Sequence, residues 1–131
     1  MKKIFGILTF TLILGLLAGC SPKDSNFTDA NNGQPATIKV GGRIIVELES
    51  NPTTGFTWEA SNPDTSIIKQ LGETEYKPSS STPLPGSGGT QILRFEAVAP
   101  GTTTLTLIYH RTFEINVPPA KTYTIKVTVE K

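Results

Sequence analysis

From residue 36 onward the chain alternates apolar and polar side chains with a period of two, the signature of strands that bury one face. Ile44, Val46 and Leu48 share a side, with Arg43, Glu47 and Glu49 on the other. Leu93, Phe95 and Ala97 alternate with Arg94 and Glu96, while Thr103, Leu105, Leu107 and Tyr109 form a third stripe. Tyr123, Ile125, Val127 and Val129 form a fourth, interleaved with Thr124, Lys126, Thr128 and Glu130. Threonine recurs along these stripes because its β-branched side chain fits a pleated, half-exposed surface. No window longer than ten residues carries a helical period. The segment 65–71, TSIIKQL, is compatible with a strand or a short helical turn.

Turn signals separate the stripes: Gly41-Gly42, Asn51-Pro52, Asn62-Pro63, the Ser/Pro/Gly-rich stretch 78–89, and Pro100-Gly101. Short strands at this spacing predict an all-β fold, an immunoglobulin-like antiparallel β-sandwich forming a single domain over residues 36–131. Trp58, after the second strand and a turn, stands where such a sandwich often buries a tryptophan on its third strand. The cysteine pair usual in immunoglobulin domains is missing, so the likeness is one of architecture.

The first residues obey a different rule. Lys2 and Lys3 precede an apolar run from Ile4 to Leu17 and then Ala18, Gly19 and Cys20, the layout of an export signal. The run is shorter than the roughly 20 residues a spanning helix needs. LAGC at 17–20 resembles the bacterial lipoprotein processing box, and it holds the one cysteine of the 131-residue chain. The expectation is a lipoprotein signal peptide over residues 1–19, lipidation of Cys20, and an exported protein held to the cell envelope by that lipid. Ser21 in place of an aspartate leans toward the outer membrane where a cell has two. Residues 20–35 are small, polar and without periodicity, and read as the lipidated N-terminus and a flexible tether.

Removing residues 1–19 takes away two of the 12 basic side chains and leaves ten against 11 acidic ones. That balance offers no concentrated basic face for nucleic acid. With Cys20 committed to lipid there is no thiol for a disulfide, a metal cluster or a nucleophile. The inventory for catalysis is equally thin. His110 is the single imidazole and no Gly-x-Ser-x-Gly elbow accompanies it. One His and scattered carboxylates make no metal site. Glu47 and Glu49, two apart, read as solvated charge, and Gly86-Ser87-Gly88-Gly89 lacks the Gly-Lys-Ser/Thr ending of a phosphate loop. The reading is a protein without enzymatic activity, metal or cofactor.

Loop chemistry stands out instead. In NPTTGFTW, residues 51–58, Pro52 fixes φ and Gly55 permits positive φ around two small hydroxyl residues, which makes a stiff, narrow, uncharged ridge. Alone, this ridge, the glycine-rich run 86–89 and the Arg111/Phe113 pair read as a sandwich turn, a flexible loop and a strand end. Together and in this order they resemble the chagasin-like family of cysteine protease inhibitors, whose signature is NPTTG followed by an aromatic, a GxGG loop and an Arg-Pro-Trp loop. NPTTGF at 51–56 matches in full, GSGG at 86–89 matches, and HRTFE at 110–114 keeps Arg111 but has Thr112 and Phe113 where proline and tryptophan are usual.

The resemblance implies three adjacent loops at one end of the sandwich that enter the active-site cleft of papain-like cysteine proteases, with tight, reversible binding; nothing in the chain demands more than a monomer. It implies that Asn51 holds the first loop, that Thr53 and Thr54 supply hydrogen bonds near the catalytic pair, and that Gly55 allows close approach. Pro52 stiffens the ridge, and Phe56 either supports it from the core or touches the protease. Gly86, Ser87, Gly88 and Gly89 would pair through their backbone with the substrate-binding segment, as an added strand does. Arg111, Thr112 and Phe113 form the third contact, with Arg111 and Phe113 as side-chain anchors. Two other readings stay open on residues alone: a lipid-anchored immunoglobulin-like adhesion module, and an exported hydrolase built on His110.

Overall fold

The computed structural model describes residues 22–131 apart from 83 and 85; the leader and Cys20 lie outside the described residues. Among the described residues nine strands form two sheets: β1 (Asp24–Thr28), β2 (Pro35–Lys39), β3 (Arg43–Ser50), β4 (Phe56–Ala60), β5 (Ile68–Gln70), β6 (Glu75–Pro78), β7 (Gly89–Ala97), β8 (Gly101–Arg111) and β9 (Lys121–Glu130). One sheet runs β1-β3-β7-β5, with β6 also paired to β7; the other runs β2-β9-β8-β4. The alternating stripes become their facing surfaces. Ile44, Val46 and Leu48 of β3 and Leu93, Phe95 and Ala97 of β7 meet Leu105, Leu107 and Tyr109 of β8 and Tyr123, Ile125, Val127 and Val129 of β9, all buried. Trp58 on β4 joins this core at 3% exposure. Residues 65–67 form a turn, and the strand begins at Ile68, whose side chain is fully buried.

Two features depart from the sequence reading. The stretch read as a tether is structured from Asp24: β1 lies alongside β3 from Asp24↔Arg43 to Thr28↔Glu47, a short 3₁₀ turn follows at Asp29–Asn31, and β2 starts at Pro35. In addition, β1 with β3 and β2 with β9 pair in parallel, whereas every other pairing is antiparallel. The N-terminal segment holds its place with few apolar contacts because its polar groups find partners on the opposite sheet. Asn32 acts as a surrogate strand residue, accepting from Thr124 N and donating from Nδ2 to the Thr122 carbonyl. Gly33 N donates to the Thr124 carbonyl at 2.7 Å.

Tyr123 completes the attachment, its hydroxyl donating to the Thr28 carbonyl at 2.8 Å. Burial, reinforced by the Asp29 carboxylate, pushes the Tyr123 phenol up to about 12 from 10.0. The folded protein therefore keeps a proton that the unfolded chain releases near pH 10. This contribution is fully present below pH 10 and is lost as pH rises through about 12. For a buried group, a displacement of that size corresponds to about 2–3 kcal/mol. Thermal melts of wild type and Tyr123→Phe from pH 8 to 12 check this. The variant is expected to be weaker by about 1 kcal/mol at neutral pH for the lost hydrogen bond, and to lose less stability than wild type above pH 10. Parallel alkaline slopes would remove Tyr123 from the account.

Candidate functional site

Three connections, 51–55, 79–88 and 112–120, emerge side by side where β3, β6 and β8 end and β4, β7 and β9 begin. The first is a 3₁₀ turn over Pro52–Thr54 with proline at its start and Gly55 left-handed at its close, φ 83°. Proline costs nothing at the first position of such a turn, where its missing N–H has no partner to lose. Gly55 is required twice: its φ disfavours other residues, and a Cβ there would lie 3.1 Å from Cε1 of Phe113.

Asn51 organises the end. Its N–H donates to the Tyr109 hydroxyl at 2.9 Å, its Nδ2 to the Gly86 carbonyl at 3.1 Å, its Oδ1 accepts from Thr53 Oγ1, and its carbonyl accepts from Thr54 Oγ1 at 2.6 Å. Both threonines of the ridge are exposed, yet their hydroxyl protons are committed inward. Toward a partner these hydroxyls present lone pairs, so they are poised to accept rather than donate.

Arg111 ties the third connection to the first. Its Nε donates to the Thr54 carbonyl at 3.0 Å, its Nη1 meets Glu114 Oε1 at 2.8 Å, and its guanidinium sits 4.4 Å from the Phe56 ring centroid. Phe56 stacks in turn on Tyr109 at 5.2 Å, and Tyr109 contacts Trp58 at 5.0 Å. The cross-strand register Phe56↔Arg111 and Trp58↔Tyr109 sets this ladder. Arg111 thus braces the ridge in the free protein, and Phe56 packs beneath it against the core. Thr112 is exposed, and Phe113 is 70% exposed with a ring edge resting on Gly55.

The middle connection also differs from expectation. Gly89 is the first residue of β7, buried between Ser50 and Pro78, and a Cβ there would collide with the Lys77 carbonyl and the Tyr76 ring. Gly86 O is taken by Asn51, and Gly88 O accepts from both Ser79 N and Ser79 Oγ. Ser87 donates from its N–H and its hydroxyl to the Leu84 carbonyl. The segment forms a wall beside the ridge, with the Gly86 and Gly88 carbonyls already occupied.

Beneath the ridge lies a residue that the motifs did not reveal. Gln91, 6% exposed, accepts from Ser50 Oγ at 2.7 Å and from Trp58 N at 2.8 Å, and donates to Thr57 Oγ1 at 2.9 Å. It clamps one sheet to the other directly under the ridge. Its sequence signal is a polar residue continuing the apolar stripe of β7, just as Ser50 continues that of β3.

Across the three connections the only charged side chain is Glu114, and Arg111 neutralises it. His110 contacts Glu59 through Nε2 at 2.8 Å on the outer side of β8, with no nucleophile in the pair. A model of the family described as Chagasin family peptidase inhibitor I42 matches residues 37–127. The chain belongs to the chagasin family. As a chagasin-family protein it is a peptidase inhibitor and not an enzyme, which removes the hydrolase reading of His110. Chagasin of Trypanosoma cruzi is 37% identical over 89 residues, covering 64% of this chain and 78% of that one. The solved cysteine protease inhibitor EhICP2 of Entamoeba histolytica superposes with a TM-score of 0.72 at 24% identity, over 86% of this chain and 100% of its own. PbICP-C, solved in complex with falcipain-2, gives a TM-score of 0.52 at 21% identity, over 84% of this chain and 93% of its own. These two structures share the chagasin-family fold with this chain.

Proposed function

We propose that this chagasin-family protein inhibits papain-like cysteine proteases by seating its three-loop end in their active-site cleft. The observation that carries the reading is the ridge 51–56, uncharged and braced from both sides by Asn51 and Arg111. A 3₁₀ turn is not the extended chain a protease cleaves, so the ridge can approach a catalytic cysteine and histidine without offering a scissile bond. Its order before binding limits the entropy lost on association, which otherwise offsets contact energy. Thr53 and Thr54 meet the catalytic groups with hydroxyl lone pairs and backbone, while 86–88 and Thr112 with Phe113 contact the two cleft walls. Gly89, buried in β7, supports the wall from within, and Arg111 supports the ridge.

The test is a titration of the protein against a papain-like protease, with a serine protease as control. Selective, saturable loss of cysteine-protease activity with the inhibitor uncleaved is the expected result. No effect on several such enzymes by the folded protein would favour the adhesion-module reading.

For its location we infer an exported lipoprotein attached through Cys20, on the strength of the LAGC box at 17–20 and the apolar run before it. Metabolic lipid labelling that is abolished in Cys20→Ala is the expected outcome; labelling of the variant at the wild-type level would overturn the assignment.

A further inference from the structure

The third connection presents more apolar surface than its motif accounts for. Phe113 is 70% exposed, Ile115 83% and Val117 54%, and Leu84 of the middle connection, across the ridge, 75%. These are four of the six exposed large apolar side chains among the described residues, and all stand at one end. Large exposed apolar side chains gathered at one end of a single domain suit a surface that another molecule covers.

The backbone holds this row in place. Glu114 N donates to the Arg111 carbonyl at 3.1 Å, and its carboxylate is fixed by the same arginine. Asn116 then takes φ 60°, a left-handed conformation uncommon outside glycine, so the chain reverses immediately after Ile115. Pro118 and Pro119 fix two further φ angles, and Ala120 N closes the connection on the Tyr109 carbonyl at 2.8 Å. The three apolar residues are not equivalent. Phe113 leans on Gly55, and Val117 lines a small recess of about 180 Å³ with Phe56, His110, Arg111 and Glu114. Ile115 is the most exposed of the three, at the reversal itself. Packing within the fold does not call for an isoleucine there, since asparagine or threonine would make the same turn.

We propose that Ile115 is the specificity-determining side chain of the third connection. It enters an apolar recess in the wall of the target protease's cleft, on the side of the ridge opposite the glycine-rich connection. The preferred targets are then papain-like proteases whose wall is aliphatic or aromatic at that point, and those with a charged wall bind weakly. This inference rests on the inhibitor reading above and adds a partner chemistry to it.

The test compares inhibition constants of wild type, Ile115→Asp, Ile115→Thr, Ile115→Leu and Thr54→Asp against one papain-like protease that the wild type inhibits. Ile115→Asp is expected to raise the constant by about 10- to 100-fold, the range set by burying one aliphatic side chain, chiefly through faster dissociation. Ile115→Leu is expected to recover inhibition to within about threefold of wild type, because the swap conserves volume. Melting temperatures should stay at the wild-type value, as an exposed side chain contributes little to folding. Ile115→Thr repeats the measurement without a charge, should the aspartate perturb the turn. Wild-type inhibition by Ile115→Asp and Ile115→Thr, with inhibition lost in Thr54→Asp, would overturn the Ile115 assignment and leave the inhibitor reading standing. Absence of inhibition by the wild type across papain-like proteases would remove both.

Discussion

Thr54→Asp is expected to raise the inhibition constant against a papain-like protease by about 100-fold or more, equivalent to roughly 3 kcal/mol of lost binding. Thr54 is exposed in the free protein, on a ridge without a charged residue between Asn51 and Phe56. In a cleft an aspartate there would surrender its hydration, and the one nearby cation, Arg111, already shares its charge with Glu114. Arg111 already spends its Nε on the Thr54 carbonyl and its Nη1 on Glu114. The aspartate also cannot donate to the Asn51 carbonyl, as the Thr54 hydroxyl does at 2.6 Å, so two electron-rich oxygens would face each other and loosen the turn. Thr54→Ser keeps the donor and the neutral surface, and is expected to inhibit within a few-fold of wild type. An unchanged constant for the aspartate variant would remove the first connection from the mechanism.

Gln91→Leu carries the largest expected cost in stability, about 3 kcal/mol, or a fall in melting temperature of roughly 10 °C. The leucine fills nearly the same volume but deprives Ser50 Oγ and Trp58 N of their acceptor and Thr57 Oγ1 of its donor. Buried polar groups without partners cost about 1–3 kcal/mol each, and part of that returns as water or neighbours adjust. Inhibition should weaken as well, because Ser50 directly precedes Asn51 and Trp58 lies just past the ridge. Thermal melts of the two proteins decide it; a melting temperature within about 2 °C of wild type would show that the clamp has another way to satisfy its groups.

Much of this was legible in the chain. Strict alternation marked the buried faces of β3, β7, β8 and β9, because a period of two admits one orientation once a face is committed to the core. The NPTTGF ridge was visible because proline and glycine act on φ directly, before any tertiary contact. What escaped had physical causes. β1, DSNFT, offers one large apolar residue, Phe27, which packs on the core, and the rest of its hold comes from backbone pairing with β3 and from Tyr123 and Asn32. The direction of pairing at β1 and β2 leaves no mark on composition. In GSGG the last glycine reads as loop, yet the register Ser50↔Gly89↔Pro78 makes it a strand residue whose missing side chain leaves room for Tyr76. No motif singles out Gln91, and the residue type of Arg111 does not show that it also braces the ridge. Both roles follow from partners 33 to 57 positions away in sequence.

The parallel pairing of β1 with β3 has a practical consequence. It places Asp24 beside Arg43, and Lys39 at the end of β2 meets the Lys131 carbonyl at 3.3 Å, so the polypeptide enters and leaves the sandwich at the same pole. The eight residues of β3, at about 3.3 Å each, put roughly 26 Å between that pole and Asn51. A fluorophore, affinity handle or carrier domain joined ahead of Pro22 or after Lys131 is therefore held clear of the ridge. The protein can be displayed on a bead or fused at either side with its working face turned outward.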